Sequence, residues 1–295
     1  MKSNKIKKDL YGWLFVILAS ISIITFAIVP IINAFIMSLQ SGKGIVTEFV
    51  GLRNYLRLFN DPVFLNAVKN TFIFLIIQVP LMIVLALIIA KVLNNPKLKF
   101  RGVFRTAIFL PCVTSLVAYS IIFKSMFSVG GIVNKILMNL NIIDIPIQWF
   151  LSNFWSKVLI IIAITWRWTG YNMIFYLAGL QNIEASIHEA AKIDGASPIK
   201  EFFYITVPIL KPIILLTTIT STVGTLQLFD EVVNITGGGP GNATTTISQY
   251  IYNLSFKYTP NFGYAATVSY AILIMVAILS IIQFKVGGDK DGKKA

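Results

Sequence analysis

Arg167 lies near the middle of an apolar run, among Trp166, Trp168, Tyr171 and Asn172. A guanidinium, flat aromatic faces and a carboxamide suit a polyhydroxylated ligand. The rings stack on its apolar face, and the polar groups hydrogen-bond its hydroxyls. Trp166 and Trp168 flank the arginine and point to different faces of a helix, so at most one shares its surface. The same residues would also serve as an aromatic belt at a membrane interface, or as part of a structural ion pair. A later run carries Thr217, Thr218, Thr220, Ser221, Thr222 and Gln227, which are candidates for the same path or for hydrogen bonds between helices. Tyr270, in the last run, is a further candidate for the path.

A second constellation is Ser186 to Pro212, SIHEAAKIDGASPIKEFFYITVPILKP, a polar interruption of an apolar chain. Ser186 and Glu189 stand three apart, the spacing of a capping box. Ile187 to Asp194 then reads as two helical turns, with Ala190 and Ala191 as small helix formers. Gly195 supplies the stop and Ala196 follows it. Ser197 and Pro198 supply the cap and first residue of a second helix. Pro208 and Pro212 bracket the way into the next apolar run. Asp194 sits unfavourably at a helix C-terminus, which points to a partner elsewhere. The pattern is helix, glycine corner, helix, between two apolar runs. Glu189, Ala190 and Ala191 would equally fit an ordinary capped helix.

Other chemistries find no support. There is no GxxxxGK[ST] phosphate loop; the cluster Gly237-Gly238-Gly239-Pro240-Gly241 lacks the lysine and a preceding strand, and reads as a tight turn. One histidine, His188, and one cysteine, Cys112, stand far apart, which leaves no metal set and no nucleophile pair. Few acids enter the apolar runs, which argues against a carboxylate proton relay.

The elements that must position these residues follow from composition. Of 295 residues, 56% are hydrophobic and 13% charged, and the mean hydropathy is +0.77. Soluble domains carry about twice that charge, so the chain reads as an all-α membrane protein. Six runs approach the length of a helical span: Tyr11 to about Met37, Thr71 to Val92, Thr106 to Phe127, Phe154 to Leu177, Ile213 to Leu228 and Phe262 to Phe284. The third contains Pro111, which neighbouring groups can accommodate. The first is too long for a signal sequence and reads as retained. Ser38 to Asn70 reads as a polar loop with a short amphipathic part, and Asp230 to Asn261 as a loop rich in Gly, Pro, Thr and Asn. The net charge of +13 flanks these runs and forms no single face, so nucleic acid is not the partner. The termini, the turn between the second and third runs, and the Ser186 stretch together hold 16 Lys and Arg, against 8 in the opposite loops. That excess places both termini and the Ser186 stretch in the cytoplasm.

Glu189-Ala190-Ala191, Asp194-Gly195-Ala196, Phe203, Ile205, Pro208 and Pro212 match, in one register, the EAA loop of binding-protein-dependent ABC importers. More narrowly, the chain resembles the permease subunits of carbohydrate importers, the group of maltose, glycerol-phosphate, lactose and multiple-sugar systems. Leu177-Ala178-Gly179-Leu180-Gln181, Phe229-Asp230, Thr236 to Pro240 and Gly51-Leu52-Arg53-Asn54-Tyr55 are also similar to that family. Two positions depart from it: Glu184 stands where the family often has proline, and His188 where it often has tyrosine.

The resemblance implies a type I ABC importer permease fold with about six transmembrane helices and a cytoplasmic EAA coupling helix. It implies three regions: residues 1–65, a transmembrane domain at 66–284 with a coupling loop at 181–212, and a tail at 285–295. Two permeases, expected as a heterodimer, would form the pathway. Two ATPase subunits would bind ATP and Mg, leaving this chain without cofactor or metal and not itself an enzyme. An extracytoplasmic sugar-binding protein would deliver the sugar. Contact with the ATPase would fall to Glu189, Ala190, Ala191, Asp194, Gly195 and Ala196. The setting would be the plasma membrane of a bacterium. An ion-coupled secondary carrier is the alternative, but it would need intramembrane carboxylates or repeated broken helices. A membrane scaffold without a transport path is the other.

Overall fold

The computed structural model describes residues 16–42 and 47–288. The basic segment Met1–Leu10 and residues 289–295 of the tail lie outside the described residues. Among the described residues the chain is helical, apart from a two-residue antiparallel pairing of β1 (Gln40–Ser41) with β2 (Glu48–Phe49). Its helices are α1 (Val16–Ser38), α2 (Arg53–Leu58), α3 (Pro62–Asn94), α4 (Arg101–Val113), α5 (Leu116–Met126) and α6 (Ile132–Asn139). After them come α7 (Asn153–Gln181), α8 (Ala185–Ile193), α9 (Pro198–Leu226), α10 (Asp230–Ile235), α11 (Ile247–Tyr252) and α12 (Phe262–Gly287). Five are long and apolar enough to cross a membrane, and α4 with α5 makes a sixth crossing if the bent pair is one span.

Two compact units divide the chain. One comprises the described residues through Asp61 together with Ile251–Ala271; the other comprises Pro62–Tyr250 and the residues from Ile272 onward. In the first unit the start of α12 is pinned to its neighbours by polar contacts. Tyr264 donates to Asp61 Oδ2 at 2.6 Å, and the Arg57 guanidinium lies 4.0 Å over the Tyr264 ring. Thr267 donates to the Ser38 carbonyl at 3.0 Å, and Tyr270 to that of Ile31 at 2.7 Å. The window of α1 that would cross a membrane buries nothing within the chain.

The second unit is built on α3 packed along α7, with α4 and α9 laid against them. Ala86, Ala90, Met173, Tyr176, Leu180 and Leu210 fill one core; Phe74, Tyr119, Leu159, Ile160 and Val232 fill another. Polar bonds register the helices. Tyr176 and Thr217 share a 2.7 Å bond between α7 and α9, and Thr225 donates to Gln78 on α3 at 3.1 Å. At Gly170 the α4 backbone lies directly against α7: a Cβ there would run into the Ile108 carbonyl oxygen.

Several boundaries differ from the sequence expectation, each for a physical reason. The third run is not one continuous helix. It breaks at Thr114 and Ser115 into α4 and α5, bent by 100°. Thr114 is extended, at φ −71° and ψ 151°, three residues after Pro111, whose missing N–H already weakens the ladder there. Helix α3 begins at Pro62, well before the apolar run, because Pro62 suits a first helical turn and the amphipathic part continues the helix. The segment from Asp230 to Asn261 holds α10 and α11, so it is not simply a loop.

The second helix expected in the Ser186–Pro212 stretch and the fifth span are one continuous helix, α9, rather than two. The expected interruption at Pro208 is absorbed by a π turn, Phe202–Thr206, in which the Val207 N–H reaches back to the Phe202 carbonyl. A proline ring collides with the carbonyl four residues earlier. For Pro208 that residue is Tyr204, inside the widened turn. The same device recurs in α1, where the π turn Ile24–Ile28 contains Phe26, four residues before Pro30.

Gly170→Val is expected to lose about 1–3 kcal/mol of stability through overpacking. Thermal unfolding of the detergent-solubilised chain measures this, with Gly224→Ala as the comparison, because a Cβ at Gly224 meets open space.

Candidate functional site

A cleft of about 600 Å³ opens among α3, α5, α7, α9 and α10. That lies within the roughly 300–1,000 Å³ of small-ligand sites. From α7 come Arg167, Trp168, Tyr171 and Asn172; from α9 come Thr220, Ser221 and Thr225. Gln78 and Met82 enter from α3, Gln227 from just beyond α9, and Asp230 and Glu231 from α10.

Arg167 is the electrostatic centre. Its side chain keeps 9% of its surface exposed, and Glu231 keeps 6%. Nε lies 3.7 Å from Glu231 Oε1, an ion pair longer than a hydrogen bond. That oxygen also accepts from Trp168 Nε1–H at 3.3 Å. The guanidinium carbon sits 5.2 Å from the Tyr119 ring centroid and 5.6 Å from that of Trp168, within cation–π range. Even so, Nε and Nη1 have no hydrogen-bond partner among the described residues. The cost of a charge inside a span demands that Arg167 face protein or water, and it does. Burial pushes the Glu231 carboxyl above its ordinary pKa. Its own backbone N–H, the Trp168 indole and Arg167 pull it back down, while Asp230 adds to the rise.

The other path candidates divide. Tyr171 and Trp168 are partly exposed and meet edge to face at 5.9 Å, so two aromatic surfaces face the cleft. Asn172 spends its amide inside the protein: Nδ2 donates to the Trp168 carbonyl at 3.1 Å and Oδ1 accepts from Ser221 at 3.5 Å. Thr218 and Thr220 bond back to carbonyls of their own helix at 2.6 and 3.0 Å. Thr222 accepts from Gln283 at 2.7 Å. Trp166 does not line the cleft; its ring stacks on Tyr119 at 5.7 Å. Tyr270 belongs to the other unit, where it is bonded to Ile31. Sequence reasoning missed Glu231 and Gln78. An amide within the apolar run of α3 was a usable signal for Gln78. Glu231 had none, because its segment read as a loop.

The elbow is α8 and the start of α9. Helix α8 begins at Ala185 with Glu184 as its N-cap residue, and the Ser186–Glu189 capping box does not form. Glu184 is extended, at φ −61° and ψ 136°, which already turns the chain into the helix and places Ser186 inside the first turn. Ser186 Oγ donates instead to Glu184 Oε2 at 3.3 Å. The far end closes as the sequence implies. Gly195, at φ +75°, donates to the Lys192 carbonyl at 3.1 Å, and Ala196 to that of Ala191 at 2.9 Å, a Schellman closure. Ser197 Oγ accepts from the Lys200 N–H at 3.3 Å and caps α9. Across the corner, His188 Nδ1 meets Glu201 Oε1 at 2.8 Å. Lys91, at the end of α3, donates to the Pro198 carbonyl at 3.2 Å and lies 4.5 Å from the Phe202 ring centroid. Ala191 is buried, whereas Glu189, Ala190, Asp194 and Gly195 are exposed. Asp194 has no side-chain partner among the described residues. Beside them Ile193, Ile199, Phe203 and Tyr204 expose apolar surface.

Residues 71–286 match the family described as binding-protein-dependent transport system inner membrane component. The chain belongs to that family. The permease is 61% identical to the lactose transport system permease protein LacF of Rhizobium radiobacter, over 94% of this chain and 93% of LacF. Its fold is that of type I ABC importer permeases. A crystal structure of a bacterial ABC transporter involved in the import of the acidic polysaccharide alginate covers 96% of the chain and 97% of its own, with a TM-score of 0.81 at 22% identity. A second crystal structure, of the bacterial alginate ABC transporter in complex with an alginate pentasaccharide-bound periplasmic protein, covers 96% and 94%, with a TM-score of 0.77 at 22% identity.

Glu231→Ala strands a buried guanidinium, and the permease is expected to lose roughly 3–5 kcal/mol. Arg167→Met combined with Glu231→Leu removes both charges and is expected to cost less than that single change. Unfolding midpoints of the two variants in detergent give the comparison.

Proposed function

We propose that this permease carries a lactose-type saccharide through the cleft between α7 and α9, driven by separate ATPases that act on the α8 elbow. The observation that carries the substrate class is the 61% identity with LacF along nearly the whole chain. The cleft supports it chemically, with two aromatic faces, an arginine in its wall, and hydroxyl and amide groups around them.

The elbow supports the coupling role. It is capped at its glycine corner, cross-tied by His188 and Glu201, and exposed over its apolar residues. Because α9 is continuous through the π turn, displacement of the elbow would move a whole span. A second permease completes the pathway, two ATPase subunits supply ATP and Mg, and an extracytoplasmic binding protein delivers the sugar. Membership of the family, and the periplasmic protein in the alginate complex, support that assembly. The distribution of Lys and Arg supports a bacterial plasma membrane orientation with both termini and the elbow in the cytoplasm.

Gly195→Pro forces φ near −65° where the corner needs +75°. The variant is expected to reach the membrane at the wild-type level while lactose uptake falls to background and ATP hydrolysis by the purified complex continues. Radiolabelled uptake in whole cells, read beside a blot of the membrane fraction, measures it; undiminished uptake would sink the coupling role. Ser197→Cys in a Cys112→Ser background is expected to react with a membrane-impermeant maleimide only in inside-out vesicles. Labelling of intact spheroplasts would overturn the orientation.

A further inference from the structure

The cleft has a charge pattern that bears on which saccharides it admits. Of its lining residues one is a cation, Arg167, and two are carboxylates, Glu231 and Asp230. The arginine is nine-tenths buried and already faces Glu231 at 3.7 Å, while Asp230 is exposed. A cation held in this way cannot neutralise an incoming carboxylate without leaving Glu231 unpaired. The second carboxylate then makes the formal charge of the lining −1. A hydroxyl group faces no such conflict. It carries no charge and can donate to an oxygen of the exposed Asp230 carboxylate.

We propose that this cleft is a charge filter: it admits uncharged saccharides and rejects acidic ones, with Arg167, Glu231 and Asp230 as the residues that decide. The filter rests on the saccharide path proposed above and adds to it the residues that set specificity. Like-charge contact in a partly desolvated cleft is the kind of repulsive element from which specificity is built. Each unit of charge removed from the lining is expected to shift the preference by roughly tenfold, equivalent to about 1.4 kcal/mol.

Lactose and lactobionate are suitable probes, since they share a galactosyl group and lactobionate carries a carboxylate on its oxidised, open-chain glucose unit; the change in their ratio between wild type and variants isolates the charge. The full-length chain is reconstituted in nanodiscs, and equilibrium dialysis with each radiolabelled probe gives its affinity. The wild-type permease is expected to bind lactose at least about tenfold more tightly than lactobionate. Asp230→Asn and Gln227→Lys alter exposed side chains of the lining and leave the buried pair in place. Each is expected to raise lactobionate affinity by roughly tenfold and to change lactose affinity much less. Adding Glu231→Gln to Asp230→Asn is expected to reverse the preference.

If lactose binds but its ratio to lactobionate is the same in the wild type, Asp230→Asn and Gln227→Lys, the filter is wrong and the saccharide path stands. Equal binding of both probes by the wild type has the same consequence. If neither probe binds the wild type or either variant, the saccharide path itself fails and the filter falls with it.

Discussion

Hydrocarbon offers no hydrogen bonds, so a chain that crosses it must satisfy every polar group from within. That constraint explains most of the polar geometry in the second unit. The α9 threonines first turn back onto carbonyls of their own helix, as Thr218 does to Ile214. Only where a second helix lies close enough do they reach across, as Thr217 does to Tyr176 and Thr225 to Gln78. The break at Thr114 and Ser115 is tolerated for the same reason: the Thr114 hydroxyl donates to the Pro111 carbonyl at 2.8 Å beside the interruption. Arg167 obeys the rule only in part. It has a counter-charge and two rings, yet among the described residues two of its nitrogens lack a hydrogen-bond partner, as do the nearby hydroxyls of Tyr119 and Thr165. Such a cluster of buried unsatisfied groups is costly and calls for an explanation beyond packing.

The elbow answers a different demand. In the proposed coupling role, a helix that receives a push must not dissipate it at a hinge, and the chain removes the two obvious hinges. At Gly195 the Schellman bonds fix the corner, and the 2.8 Å contact of His188 with Glu201 braces it from the side. At Pro208 the π turn keeps the helix running where a proline would otherwise break it. Lys91 adds a tie from the end of α3 to the first turn of α9. The elbow is thus tied to two long helices, α3 and α9, which fits the coupling role proposed for it.

Much of this was legible in the sequence, unevenly and for identifiable reasons. Apolar runs gave the rough place of five spans and of the bent pair α4–α5, because burial in lipid selects composition over about 20 residues. Gly195, Ser197 and Pro198 gave the corner, because each is dictated by backbone geometry within a few residues. The start of α8 was misplaced, because a capping box needs an extended residue at Ser186 and the chain is already extended at Glu184. The bend of 100° between α4 and α5 could not be read from Pro111 alone, since Pro80 and Pro212 sit inside unbroken helices. Arg167, Trp168 and Tyr171 were found by their oddity in an apolar run. Glu231 was not, because its partner is 64 positions away in sequence and only the folding of α10 against α7 brings the two together.

That long-range pairing also decides how Arg167 should be understood. A buried ion pair is a poor way to stabilise a fold; well-packed apolar residues of similar volume serve as well or better. The geometry here is poor even for an ion pair. The contact is 3.7 Å and not bidentate, and Trp168 competes for the same carboxylate oxygen. A pair selected for rigidity would be shorter and would satisfy its remaining nitrogens. A loose pair at the wall of a cleft holds the local charge nearly balanced without locking either side chain, which fits the saccharide path proposed for it. Such an arrangement suits ligands that offer hydroxyls in number and no charge of their own.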